Sequence, residues 1–152
     1  MTASSNISLE TRALRYLARR EHTRHELEKK LSGHERSHQA ITELLDQLEQ
    51  DGYLSNERFV EHVTQMRRSK FGSRRIAHEL KEKGVEEHLI AGILPDLKET
   101  DLETARQIWQ KKFGAPPHDL KERGRQIRLM MNRGFSLDTI NTILLQAKKE
   151  KT

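Results

Sequence analysis

At three places a stretch with helical spacing of apolar residues stops at a glycine that an apolar residue follows. The stops are Asp51-Gly52-Tyr53-Leu54, Lys83-Gly84-Val85 and Arg133-Gly134-Phe135. Each has the chemistry of a helix C-terminus. Glycine enters the left-handed region without a Cβ penalty, and the apolar residue after it folds back on the last turn. Such punctuation, recurring along a chain, predicts a tandem array of short helices rather than one large core. Arrays of this kind act by offering an extended surface to a large partner.

Composition agrees with several small interiors. Hydrophobic and charged residues each make up 34% of the 152 residues, whereas charged residues are about 25% of an ordinary domain. So polar a chain fills several small cores more easily than one large one, and an elongated shape is expected. There is no cysteine, which excludes disulfides and thiolate metal sites and fits a reducing, cytoplasmic setting. No apolar run approaches the roughly 18 residues needed to cross a bilayer, so no membrane partner is expected. Met1 to Ser8 lacks the basic and apolar regions of a secretory signal and reads as a short disordered lead.

Periodicity predicts nine helices and no sheet. Leu9, Ala13, Tyr16 and Leu17 share one face; Thr23 and Glu26 form a capping box ahead of Leu27 and Leu31; Ile41, Leu44, Leu45 and Leu48 lead to Gly52. Ser55 caps a fourth helix with Phe59, Val63 and Met66 inward, and Ser73 caps a fifth with Ile76 and Leu80 inward. A sixth carries Leu89, Ile90, Ile93 and Leu94 and breaks near Pro95. A seventh starts near Asp101 and carries Leu102, Ala105, Ile108, Trp109 and Phe113. Gly114 to Pro117 is a loop. An eighth holds Leu120, Ile127, Met130 and Met131, and Ser136 caps a ninth with Leu137, Ile140, Ile143, Leu144 and Ala147. The expected fold is therefore all-α: three tandem three-helix, helix-turn-helix-like repeats in an elongated, curved array. Residues 1–8 form the lead, 9–54 the first unit, 55–98 the second and 99–149 the third.

No constellation points to catalysis. His34-Glu35-Arg36-Ser37-His38 matches the spacing of a zinc-protease motif. That chemistry needs both histidines on one face of a rigid helix, with a further ligand. Here the five residues follow Ser32-Gly33 and contain no apolar anchor, so they read as a polar loop without metal. The other histidines are scattered, and no serine sits in a nucleophile-elbow setting. No enzyme activity and no cofactor are expected. Trp109, Phe113, Tyr53, Phe59 and Tyr16 could stack on bases, but all lie at core or cap spacing, where packing is the commoner use.

Charge is the sharper signal. Residues 66–84 carry a net +5 and residues 106–133 a net +6, on either side of a net −5 over 85–105. Clustered positive charge favours polyanions such as nucleic acid, or an acidic protein groove. Arg74, His78 and Lys81 share one face of the fifth helix, with Arg75 beside them. Arg67, Arg68 and Lys70 precede its N-terminus, where free N–H groups already favour anions. None is expected at a core position. Lys121, Arg125 and Arg128 share a face of the eighth helix, with Arg133 at its end and Lys111 and Lys112 approaching from the seventh. These twelve cations are the candidate contact residues. Glu79 and Glu82 partly neutralise the first set, and a basic helix face taken alone is usually just solvated.

Several segments together resemble one family. Arg20-Glu21-His22-Thr23 with Glu26-Leu27 and Lys30-Leu31, then Gly52-Tyr53-Leu54 with Arg58-Phe59-Val60, are similar to the first unit of the RecX family, regulators of the RecA recombinase. Residues 67–76, from Arg67-Arg68 through Phe71-Gly72-Ser73 to Ile76, with Glu79-Leu80 and Lys83-Gly84-Val85, resemble its central unit. Ala105-Arg106, Lys112-Phe113-Gly114 and Arg133-Gly134-Phe135 resemble its third. The match runs in order over residues 12–146. Lys70-Phe71-Gly72-Ser73 departs from it, lacking the first glycine and the proline of the family's usual loop. The resemblance implies three tandem three-helix units. It implies a monomer that binds the RecA–DNA filament, inhibits the recombinase, and so regulates DNA repair, recombination and the SOS response. It also implies non-specific contact with single- and double-stranded DNA. The competing reading is a helix-turn-helix transcriptional regulator.

Overall fold

The computed structural model describes residues 7–151, and among them there are eight helices and no strand. The helices are α1 (Leu9–Arg19), α2 (Arg24–Ser32), α3 (His38–Gln50), α4 (Asn56–Arg67), α5 (Ser73–Glu82), α6 (Glu87–Lys112), α7 (Leu120–Asn132) and α8 (Leu137–Lys151). The all-α class and the tandem three-helix units are as expected. Of the lead expected over residues 1–8, residues 1–6 lie outside the described residues. Ser8 caps α1, its hydroxyl accepting from the Thr11 N–H at 3.0 Å.

The buried side chains fall into three groups that do not share a member. Ala13, Leu27, Leu31, Ile41, Leu45, Leu48 and Leu54 fill the space between α1, α2 and α3. Phe59, Val60, Val63, Ile76, Leu80, Val85, Ile90 and Leu97 join α4, α5 and the first half of α6. Ala105, Ile108, Trp109, Met130, Phe135, Ile140, Ile143 and Leu144 join its second half to α7 and α8. The surface of 10155 Å² exceeds by roughly a quarter the ~8,000 Å² of a compact chain of 17.8 kDa, so the array is elongated. Cores this small supply only about 3–5 kcal/mol each, so the units depend on one another.

Two expectations about helix boundaries are corrected. The sixth and seventh helices are one, α6, a 26-residue helix that runs through Pro95. A proline inside a helix loses a hydrogen bond and costs about 3 kcal/mol. Here both ends of the helix are held: Ile90 and Leu97 lie in the second core, and Ala105, Ile108 and Trp109 in the third. Packing on both sides overrides the local preference. Asp101, expected to start a helix, is instead a buried mid-helix carboxylate. The second correction concerns α5. Its N-cap is Gly72, which makes no side-chain cap bond, and Ser73 is buried and spends its hydroxyl on Asp101.

The three glycine stops behave as their chemistry predicts. Gly52, Gly84 and Gly134 have φ of 83°, 82° and 97°. Each closes a Schellman pair, with Tyr53, Val85 and Phe135 N–H groups donating to the carbonyls of Leu48, Leu80 and Met130 at 2.9, 3.0 and 3.3 Å. Val85 and Phe135 are buried; after Gly52 the buried residue is Leu54, while Tyr53 is exposed.

Two of these turns also join units. The turn ending α7 docks on the start of α5: the Gly72 N–H donates to the Arg133 carbonyl at 2.6 Å, and the Arg74 N–H to the Gly134 carbonyl at 3.2 Å. This supplies the missing cap of α5, whose orphan donors are met by the carbonyl end of another helix. The turn ending α5 docks in turn on the start of α2, where the Thr23 hydroxyl donates to the Lys83 carbonyl at 2.5 Å. The second helices of the three units thus run head to tail, α7 onto α5 onto α2.

Candidate polyanion-binding surface

The structure sorts the twelve candidate cations by what they touch. Arg68 does not stand off the core as expected. Its side chain is 19% exposed and lies 2.8 Å from Asp101, and it also donates to the Leu97 carbonyl and the Thr100 hydroxyl. Asp101 accepts further from the Ser73 N–H at 3.0 Å and from its hydroxyl at 2.5 Å. Arg68 and Asp101 therefore clamp the end of α4 and the start of α5 against the middle of α6. Nothing at Asp101 in the sequence marked it as such a hub; it read as the start of the seventh helix.

Arg67 pairs with Glu79 at 3.1 Å, so the end of α4 is tied to α5. Arg75 donates to the Asn132 carbonyl at 2.9 Å, and Arg133 to the Lys70 carbonyl at 3.2 Å. The two guanidinium groups lie 4.3 and 5.6 Å from the centre of the Phe71 ring. Both arginines thus fasten the second unit to the third. The N-terminus of α5, expected to favour anions, is closed by the Arg133 and Gly134 carbonyls. Arg125 pairs with Glu122 at 3.0 Å and lies 5.3 Å from the Phe113 ring centre.

Lys70, Arg74, Lys81, Lys111, Lys112, Lys121 and Arg128 are exposed and, among the described residues, their side chains pair with no carboxylate. Arg74 and Lys81 stand on α5, Lys121 and Arg128 on α7, each pair seven residues apart and so on one side of its helix. A cleft of about 570 Å³ carries the α5 edge to the end of α7, with Arg74, Arg75 and His78 on one wall and Met131 and Asn132 on the other. Chemically this surface can neutralise phosphates or carboxylates. His34 lies in the loop between α2 and α3 and His38 begins α3, so the two do not share a helical face. Trp109 is buried, its indole N–H donating to Gln126 at 2.8 Å, and Phe59 is buried as well.

Comparison with known proteins adds what geometry alone does not. Three models of one family match in order: the first three-helix domain of RecX over residues 11–48, the second over 55–94 and the third over 99–144. A regulatory protein RecX from Leptothrix cholodnii is 43% identical over 144 residues, which cover 95% of this chain and 92% of that one. One from Ralstonia pickettii is 42% identical over 93% of this chain and 89% of its own. The crystal structure of RecX from Lactobacillus salivarius superposes with a TM-score of 0.76 at 21% identity, covering 97% of this chain and 99% of that one, a likeness of fold. Three ordered domain matches and relatives this similar along nearly the whole length show that the chain belongs to the RecX family of regulatory proteins.

Proposed function

We propose that this protein modulates the RecA recombinase by binding the RecA–DNA filament and inhibiting it, and so regulates DNA repair, recombination and the SOS response. It does so in the cytoplasm, as a monomer, by contact rather than by catalysis. Its DNA contacts are non-specific, to single and double strands. The observation that carries this reading is the set of unpaired cations on two successive units of an elongated array, in a chain of the RecX family. A filament presents repeating phosphates along a groove, and an array can engage several at once.

The measurement is DNA-dependent ATP hydrolysis by the cognate recombinase, with and without this chain, at two salt concentrations. Replacing Arg74 and Lys81, or Lys121 and Arg128, by alanine leaves helicity intact, because all four are exposed and unpaired. Each pair should weaken inhibition most at low salt, and the gap to the unaltered chain should narrow as salt rises, since each phosphate contact removed takes away counterion release. The two pairs together should lose more than either alone through effective concentration. Undiminished inhibition by the fourfold variant would refute this surface.

The helix-turn-helix regulator has less support. A recognition helix enters the major groove by its N-terminal turn. The N-terminal turns of α2 and α5 are covered by Lys83 and by Arg133 and Gly134 of the next unit.

A further inference from the structure

We propose that the slot between α5 and α6 docks an acidic, apolar segment of a partner protein. The slot has a volume of about 430 Å³. Its floor is aliphatic: Ala77 on α5 and Ile90, Ala91 and Leu94 on α6. Along its α5 edge stand Arg74 and Lys81, which are two of the three candidate cations of the second unit left without an internal bond by their side chains. The others of that unit are consumed: Arg67 by Glu79, Arg68 by Asp101, Arg75 by the Asn132 carbonyl. His78 on the same edge is engaged by Glu82 at 2.8 Å, and Glu87 on the α6 side gives the slot a negative end.

This pairing of surfaces selects a protein segment over nucleic acid. A sugar–phosphate backbone would satisfy Arg74 and Lys81 but leave the aliphatic floor wet. Bases stack on aromatic faces, and the slot offers none. A leucine or phenylalanine seated on Ile90, Ala91 and Leu94, with a carboxylate on each side reaching Arg74 and Lys81, satisfies both surfaces. Buried apolar anchors with complementary charge at the rim are the usual anatomy of such contacts. Glu87 sets polarity, repelling a carboxylate at that end. The inference rests on the reading of these cations as contact residues, but not on a recombinase as the partner.

The test uses the full chain and a panel of short fluorescent peptides that carry leucine or phenylalanine between glutamates. Controls replace the apolar residues with serine, and a single-stranded oligonucleotide serves as the nucleic-acid probe. Binding is followed by anisotropy and by the methyl resonances of Ala77, Ile90, Ala91 and Leu94. Peptides of the panel should bind saturably and shift those four methyl groups. Ala91→Leu, which fills the slot without charge, should weaken them by at least about tenfold while leaving oligonucleotide binding unchanged. Ala91 is exposed on a helix, so the variant should keep its helicity; Ala91→Glu, which sets a carboxylate beside Arg74 and Lys81, should weaken the peptides as well. The proposal is overturned if no peptide saturates, if the serine controls bind as tightly, if the shifts fall elsewhere, or if Ala91→Leu weakens the oligonucleotide equally. Loss of peptide binding with filament inhibition retained would remove the slot and leave the wider reading standing.

Discussion

Replacing Asp101 by alanine should be among the most damaging single changes in this chain, and worse than removing its partner Arg68. Asp101 is 11% exposed at its side chain and accepts three bonds, from Arg68 at 2.8 Å and from the Ser73 N–H and hydroxyl at 3.0 and 2.5 Å. Its loss strands a guanidinium that is only 19% exposed, and uncaps Ser73 in the first turn of α5. Breaking a buried pair in this way costs about 3–5 kcal/mol. Arg68→Ala leaves the carboxylate with both Ser73 donors, so the loss is nearer that of a charged hydrogen bond, about 1.5–3 kcal/mol. The Arg68→Ala, Asp101→Ala double variant should cost less than the sum, because the stranded charge is gone. Urea unfolding reports this through two probes. Trp109 is the only tryptophan and is buried in the third core, while far-ultraviolet dichroism sees all eight helices. Asp101→Ala should move both transitions, because α6 belongs to two cores. If Arg68→Ala proves as costly as Asp101→Ala, or the two losses simply add, Asp101 is not the hub and the reasoning fails.

The glycine turns that join units should tolerate alanine less well than the one that does not. A Cβ on Gly134 would stand 2.6 Å from the Arg75 backbone nitrogen and one on Gly84 2.7 Å from His25 Cγ, whereas Gly52 has open space. Gly52→Ala should cost only the left-handed penalty of about 1–2 kcal/mol, and Gly84→Ala and Gly134→Ala more, in the same urea assay; equal losses at all three would deny the close approach. Acid should loosen the first unit in two stages. Burial holds the His22 imidazole below its ordinary 6.5, and the Arg20 and Lys30 charges add to this against the bond to the Arg20 carbonyl. Its contribution to stability is present above about pH 6.5 and is lost as the pH falls below it. His22→Gln should flatten the decline that sets in as the pH falls below about 6.5, and a parallel decline in both proteins would clear His22 of the effect. Burial pushes the Glu26 carboxyl up, but the Arg20 guanidinium and the Thr23 N–H outweigh it and bring it from 4.5 to about 2. That contribution is present above 4.5 and is lost as the pH falls towards about 2.

Local chemistry was legible, and long-range partnership was not. The Thr23–Glu26 capping box, the Ser55 and Ser136 caps and the left-handed Gly52, Gly84 and Gly134 involve residues at most six positions apart, and all appear in the fold. Pro95 misled because its local cost is real, and the packing that overcomes it comes from two cores at once. Ser73 looked like a cap because serine before a helical run usually is one; its hydroxyl instead bonds a carboxylate 28 residues away. The glycine punctuation was right in conformation and misleading in register. Gly52 ends the third helix of its unit, whereas Gly84 and Gly134 end second helices, and the second helix of the first unit ends at Gly33, whose φ is −75°. The repeat therefore looks degenerate in sequence because its turns do not fall at equivalent places.

The basic blocks show the same division. Counted along the chain, residues 66–84 hold a net +5 that suggests a broad binding face. In space, Arg67, Arg68 and Arg75 bond to Glu79, Asp101 and the Asn132 carbonyl, and the α5 candidates whose side chains make no such bond are Arg74 and Lys81. The acidic stretch between the blocks supplies one of those internal partners, Asp101, and another joint residue, Glu86, which accepts from Asn56. The first joint carries several polar bonds: Thr23 to the Lys83 carbonyl, the Arg24 N–H to Asn56 at 2.9 Å, and Arg58 to Glu21 at 2.6 Å. Ion pairs and polar bonds of this kind add little net stability compared with apolar packing, but they demand particular geometry. An array whose units have separate small cores needs that geometry more than it needs extra burial. Much of the charge in this chain therefore sets the spacing and direction of its units, and the few cations left over are displayed at the positions those joints determine.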